Sequence, residues 1–372
     1  MTALPAPALG DRGNDAAHAA ALAALPLQTP HRLRRLLRAG SPTEMWHRVR
    51  SGERPVAGLP DEVWPAWRSV PGDLPDIMAR ACADGAMAVT WLGAHDYPDV
   101  LAGDVSPPPV LFVRGDVSVL AARRVGIVGT RTATRAGRHV ARTLGHDLGA
   151  DGVCIVSGLA RGIDVESHIG ALDAGGAPPV AVVASGLDVV YPPEHRGIWE
   201  GVATVGAVIS ESPPGAAPER HRFPMRNRIL AALSEVLVVV ESRRTGGSMI
   251  TVREAMKRDV QVLAVPGPPG MRASEGTNDL LRDGCGPATG ADDVLVALGM
   301  DHRRTHPRFD PRPPPSEGEA EVLGLLRGPA LTLDDLVVRS GYGVVRTAVL
   351  LGRLEAKGWV AHSGGWWETL AL

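Results

Sequence analysis

At 372 residues the chain is too long for one typical domain, and two or three are expected. A formal net charge of −2 with 44% hydrophobic content excludes a globally basic nucleic-acid coat, so any polyanion site must be local. Cys82, Cys154 and Cys285 are widely spaced and form no CxxC or Cys/His ligand pattern, which argues against a structural metal or a disulfide framework.

Residues 1–20 are Ala-, Pro- and Gly-rich and read as loose. They hold no basic segment followed by an apolar one. No run of about 18 apolar residues occurs anywhere, so a cytoplasmic protein without membrane contact is expected. Leu33, Leu36, Leu37, Met45, Trp46 and Val49 recur at helical spacing, punctuated by Pro42, Pro60, Pro65 and Pro71. Residues 1–85 are therefore expected to form a small helical domain. Within it, HRLRRLLRAG (31–40) is amphipathic and basic, either a solvated helix face or a DNA-contacting one.

The pattern changes near residue 86. Short β-rich runs recur: AVTWL, VLFV, RVGIVGT, VCIVS, PVAVVAS, GAVIS, EVLVVVE and VQVLAVP. From residue 124 they alternate with helix-length segments, and the strands are almost continuously apolar. That is the pattern of a parallel sheet covered on both faces, so residues 86–300 read as an extended Rossmann-like α/β domain. Gly-rich loops follow the strand C-termini, the edge where ligands bind in open α/β sheets.

Several of those loops carry polar chemistry. Gly129, Thr130, Arg131 and Arg135 follow the first parallel strand, but GTRTATRAG lacks the GxGxxG spacing, which argues against a dinucleotide. Ser157, Gly158 and Arg161 lie in SGLARGID, where Asp164 reads as a helix N-cap and His168 as a hydrogen-bonded structural histidine. Arg220, Arg222, Phe223, Arg226, Asn227 and Arg228 lie in RHRFPMRNR. Arg226 and Arg228 are expected to crowd the first turn of a helix, a place that needs an anion to offset the helix dipole. Phe223 either staples the helix entry or stacks on a base. Gly246, Gly247, Ser248 and Thr251 follow the apolar strand ending at Glu241, a glycine turn opening into a hydroxyl-bearing helix that suits a phosphate. These residues are the candidate nucleic-acid contacts.

Residues 301–315, DHRRTHPRFDPRPPP, read as a linker. Beyond it, residues 316–372 show three helices and a hairpin turning at Gly364-Gly365, a pattern suited to a winged helix that contacts DNA or protein.

The motifs VGIVGTR, VSGLARGIDVESHIGAL, SGLDVVYPPEHR, ISESPPGAAPERHRFPMRNRILAALSEVLVVVES, TGGSMIT, AVPGPPG and SEGTNDLLRDG, in this order, resemble the DprA/Smf family of DNA-processing proteins. The resemblance implies a Rossmann-like domain that binds single-stranded DNA and dimerises, with the RecA recombinase as partner. It implies no cofactor and no metal. On it, the DNA-binding arginine after the first strand falls on Arg131, the basic residue before the aromatic on Arg220, the aromatic on Phe223, and the paired arginines on Arg226 and Arg228. The sequence departs from the family pattern at Gly246-Gly247-Ser248, His195 and Cys285. A competing likeness is enzymatic. GGSMITVRE is similar to the PGGxGTxxE signature of lysine-decarboxylase-like nucleoside-monophosphate phosphoribohydrolases, and Glu254 would be their catalytic glutamate. A non-catalytic protein adaptor is the third class.

Overall fold

A computed structural model describes residues 11–52, 54–300, 310, 312–328 and 330–370. They divide into two compact units, one up to residue 300 and one from residue 310 onward.

The first unit opens with helices α1 (Asp11–Ala23), α2 (Pro30–Ala39), α3 (Pro42–Ser51), α4 (Val63–Arg68) and α5 (Leu74–Asp84). Pro30 and Pro42 begin α2 and α3, where a missing N–H costs nothing. Thr29 and Ser41 precede them, and their side-chain oxygens accept from Arg32 N and Glu44 N. Leu33, Leu36, Met45, Trp46 and Val49 are buried. On α2, Arg32, Arg34 and Arg35 donate to the carbonyls of Leu27, Pro107 and Ala57, which ties the helix to neighbouring loops, while His31 and Arg38 stay exposed. These helices are also not a separate domain. Their side chains join one apolar cluster with Phe112 and Val208 of the sheet, Val183 just past β5, and Trp199 of the helix over Arg196–Val205.

Strands β1 (Ala88–Trp91), β2 (Val110–Gly115), β3 (Arg124–Val128), β4 (Cys154–Ser157), β5 (Val180–Val182), β6 (Ala207–Ser210), β7 (Val236–Val239), β8 (Gln261–Ala264) and β9 (Gly286–Pro287) form one sheet. Its order is β1-β2-β6-β5-β4-β3-β7-β8-β9. All pairings from β6 to β9 are parallel; β1 and β2 add an antiparallel flank. Between the strands run α6 (Asp99–Ala102), α7 (Arg135–Ala150), α8 (Ile163–Ala174), α9 (Arg196–Val205), α10 (Arg222–Leu233), α11 (Ser248–Met256) and α12 (Glu275–Arg282), and α13 (Ala291–Ala297) follows the last strand. Alternate residues enter opposite cores. Val236 and Val238 pack with α7 and α13, whereas Leu237 and Val239 pack with α10 and α11. Both faces are covered, which is why these strands read as unbroken apolar runs.

The chain builds outward from β3 through β4 and β5 to β6, then returns to place β7 on the other side of β3. The loops leaving β3 and β7 therefore diverge and open a crevice, the topological switch point of a doubly wound sheet.

In the second unit, α14 (Glu317–Leu325), β10 (Leu331–Thr332), α15 (Leu333–Ser340), α16 (Val344–Ala356), β11 (Val360–Ser363) and β12 (Trp366–Thr369) enclose a core of Val322, Leu336, Leu351 and Leu354. The strands pair in the order β10-β12-β11. The expected linker is shorter than 301–315: residues 301–309 and 311 lie outside the described residues, and Arg312 already belongs to this unit. Its guanidinium stacks 3.8 Å from the Trp359 ring and donates to the carbonyls of Gly358 and Leu370. No helix among the described residues is long and apolar enough to cross a membrane.

Helices α7 and α8 approach at backbone distance. A Cβ on Gly170 would lie 2.0 Å from the Arg142 carbonyl, and one on Gly145 would lie 2.1 Å from the Ser167 carbonyl. Gly170→Ala is expected to destabilise the chain by about 1–3 kcal/mol through overpacking, despite alanine's better helix propensity. Urea unfolding checks this; equal or raised stability would show that the helices separate freely.

Candidate nucleic-acid interface

The site is built on one clamp. Glu241, buried just past β7, accepts Thr130 N on its main-chain oxygen at 2.8 Å. Its carboxylate accepts Thr134 N at 2.9 Å and Thr134 Oγ1 at 2.5 Å. Gly137 makes room for it, since a Cβ there would sit 2.3 Å from Glu241 Cδ. The loop leaving β3 is thus tied to the end of β7 across the switch point, and Arg131 projects from the tied segment.

Arg131 meets the aromatic residue of α10. Its guanidinium lies 4.5 Å from the centre of the half-buried Phe223 ring, within cation–π range, and the Tyr191 ring lies 5.9 Å away on another side of the chain. Phe223 is thus held half-buried, with the Arg131 guanidinium over its ring.

Around this pair lies a cleft of about 910 Å³. Gly129, Thr130 and Arg131 line it from the β3 loop. Arg220, Phe223, Arg226 and Asn227 line it from α10 and the segment before it, and Gly246, Gly247, Ser248 and Thr251 from the start of α11. Four arginines, counting Arg243, face a single carboxylate, Asp164. Sequence reasoning missed Arg243 and Tyr191. Arg243 lies in SRRTGG, four residues past the end of β7, and that place on the strand-end loop was its signal.

Other candidates lie elsewhere. Gly158 and Arg161 line a smaller cavity beside the cleft, and Arg161 is paired with Glu194. Ser157 is fully buried and donates to the Ile127 carbonyl at 2.6 Å, an interstrand bond with no access to a ligand. Arg135 is exposed on the first residue of α7, outside the cleft lining. Arg222 faces a different cavity and reaches Ser212 Oγ at 3.2 Å. Arg228 is committed to the protein: Nη2 donates to both oxygens of Glu211 (2.5 and 2.6 Å) and Nη1 to the Ser106 carbonyl (2.6 Å). The reason is helical geometry. The helix begins at Arg222, a turn earlier than the sequence implied, and two residues separate by roughly 200° around a helix. Arg226 and Arg228 therefore cannot share the cleft.

Asp164 is also corrected. Gly162 takes the N-cap position, and Asp164 is a buried residue of the first turn of α8 whose carboxylate lies 3.9 Å from Arg226. Burial pushes its pKa up, opposed by the Arg226 and Arg131 charges. His168 is fully buried, with the Ser157 main chain as its polar neighbour. Burial drives its pKa down to about 3, so it is a neutral core residue at physiological pH. Glu254 is not in the cleft lining. It is bonded to Lys257 (2.7 Å) and Arg258 (2.8 Å), which hold its carboxyl low against the upward pull of burial. A carboxylate so engaged is poorly suited to acid–base work on a glycosidic bond.

A Rossmann-like domain with an arginine-lined cleft at its switch point defines the class. The chain belongs to the DprA/Smf family: residues 88–299 match the model for DNA recombination-mediator protein A. It is 38% identical over 271 residues to a putative DNA processing protein DprA of Mycobacterium tuberculosis (strain ATCC 25618 / H37Rv), covering 71% of this chain and 69% of that one. It is 35% identical over 226 residues to the DNA processing protein DprA of Bacillus subtilis (strain 168), covering 60% and 75%. Among solved structures, DNA processing protein A from Streptococcus pneumoniae aligns with a TM-score of 0.64 at 27% identity over 76% of this chain and 97% of that one. The Helicobacter pylori protein, whose structure concerns its single-stranded DNA binding mode, aligns with a TM-score of 0.53 at 27% identity over 58% and 97%.

Arg228 and Glu211 form a pair with side chains 11% and 12% exposed. Arg228→Ala is expected to cost about 3–5 kcal/mol of stability, because it strands a buried carboxylate. A loss under about 1 kcal/mol in denaturant titration would place the pair among ordinary surface salt bridges.

Proposed function

We propose that this chain binds single-stranded DNA with little sequence preference and delivers it to the RecA recombinase. The observation that carries the first half is the cleft itself. Arg131, Arg220, Arg226 and Arg243 converge with Phe223 at one strand edge, which supplies charge for the backbone and an aromatic ring for stacking. A stacking ring suits unpaired bases, so single strands are favoured over duplex. The Helicobacter pylori relative's single-strand binding mode supports the same reading. RecA delivery, dimerisation and a cytoplasmic setting rest on family membership. The second unit's element order, helix–strand–helix–helix–strand–strand, supports reading it as a winged helix. With Glu254 outside the cleft, a binding role is favoured over glycosidic-bond cleavage.

Anisotropy titrations of the full chain with oligo(dT) across a salt series test strand binding. Arg131→Ala and Arg220→Ala should each lower the log–log salt slope by about 0.7, whereas Arg228→Ala, measured on its folded fraction, should leave the slope unchanged. Phe223→Ala should cost roughly 1–3 kcal/mol of binding if a base stacks there. Equal or tighter binding of duplex would sink the proposal. Delivery is tested separately, by sedimentation and by RecA filament formation on strands coated with single-strand-binding protein. A monomer at micromolar concentration, or no stimulation, would leave strand binding alone.

A further inference from the structure

Arg226 is in an unusual position for a cation. It is 6% exposed, and among the described residues no hydrogen bond reaches its guanidinium. Its ion-pair partner is Asp164, whose carboxylate oxygen lies 3.9 Å from Nη1, near enough to attract the charge but beyond hydrogen-bond reach. The strand-end loop is shaped around it: a Cβ on Gly158 would sit 1.6 Å from Nη1, so only glycine admits the guanidinium at this spot. A buried cation with unmade hydrogen bonds is strongly disfavoured unless something else supplies the acceptors.

The space in front of it defines that acceptor. Arg226 borders a narrow cavity of about 40 Å³, lined also by Arg131, Gly158, Arg161, Tyr191 and Phe223, and no carboxylate lines it. That volume holds about three waters, which is the number of free oxygens on a terminal phosphate and far less than a base needs. An internal phosphodiester must leave room for the chain on both sides, whereas a terminal phosphate needs room for it on one side only. A phosphomonoester also carries more charge than a diester, close to two units at neutral pH. Arg131, Phe223 and Arg226 line both the small cavity and the large cleft, so a strand anchored in one continues into the other.

We propose that the cavity before Arg226 is a subsite for the terminal phosphate of a single strand, so that the protein distinguishes phosphorylated ends from hydroxyl ends. This rests on the single-strand reading of the cleft and adds an end-specific contact to it.

The test uses the full chain and oligo(dT) of one length carrying a 5′-phosphate, a 3′-phosphate or hydroxyls at both ends. One phosphorylated form is expected to bind about tenfold tighter than the hydroxyl form, and which one it is gives the polarity. Arg226→Gln and Gly158→Ala should each bring that ratio close to one, whatever they do to the affinity shared by all three strands. Orthophosphate should erase the ratio before it displaces the hydroxyl-ended strand. Equal affinities for all three strands in the wild-type chain would overturn the subsite and leave strand binding standing, a result that needs no variant to fold. A ratio that survives in folded Arg226→Gln would overturn its assignment to this cavity. Failure to bind any of the three would remove both readings together.

Discussion

The Glu241 carboxylate holds the binding edge in register. Parallel strands β3 and β7 lie side by side, but their loops run in opposite directions, and nothing in sheet hydrogen bonding fixes one loop against the other. Glu241 does so by accepting from Thr130 through its main chain and from Thr134 through its side chain. The position of Arg131 follows, then its approach to the Phe223 ring, then the width of the cleft between α10 and the start of α11. The carboxylate is buried and meets donors with fixed geometry, so the loop is held by hydrogen bonds rather than by its own stiffness.

Arginine is put to three different uses within a few residues. Arg220 stays exposed at the cleft, Arg226 is sunk into a glycine-lined niche, and Arg228 closes a buried ion pair with Glu211. A count of local charge treats these as equivalent. Their energetics differ, because an exposed cation interacts weakly through solvent, whereas a buried one must be matched by a partner or a ligand. Burial pushes the Glu211 carboxyl upward in pKa, and Arg228 opposes that shift, so the pair belongs to the fold's stability rather than to binding.

The strands were legible because both their faces are buried, which leaves a run of Val, Ile and Leu with no polar interruption. The glycine turns at their ends were legible for the same reason, and together they located the binding edge. The start of α10 was not. Pro224 and the cluster of cations in RFPMRNR looked like a loop, yet proline sits comfortably in a first turn. Once that boundary moved, the facing of Arg226 and Arg228 moved with it. The partnership of Arg228 with Glu211 joins positions 17 residues apart through tertiary contact, so no local pattern marks it. Ser157 misled in a similar way. A serine at a strand end is often a ligand contact, but here its hydroxyl bonds the neighbouring strand. The carbonyls that Arg32, Arg34 and Arg35 of α2 hold lie in loops that sequence cannot place.

The shared core between the first five helices and the sheet limits how this architecture can be trimmed. Phe112 and Val208 of the sheet share that core, and Trp67, fully buried, anchors the helical layer by donating to the Pro26 carbonyl. A shortened version lacking the helical layer would expose aromatic and branched side chains together on one sheet face, a surface prone to self-association. The helical layer is therefore a cover that this sheet face requires.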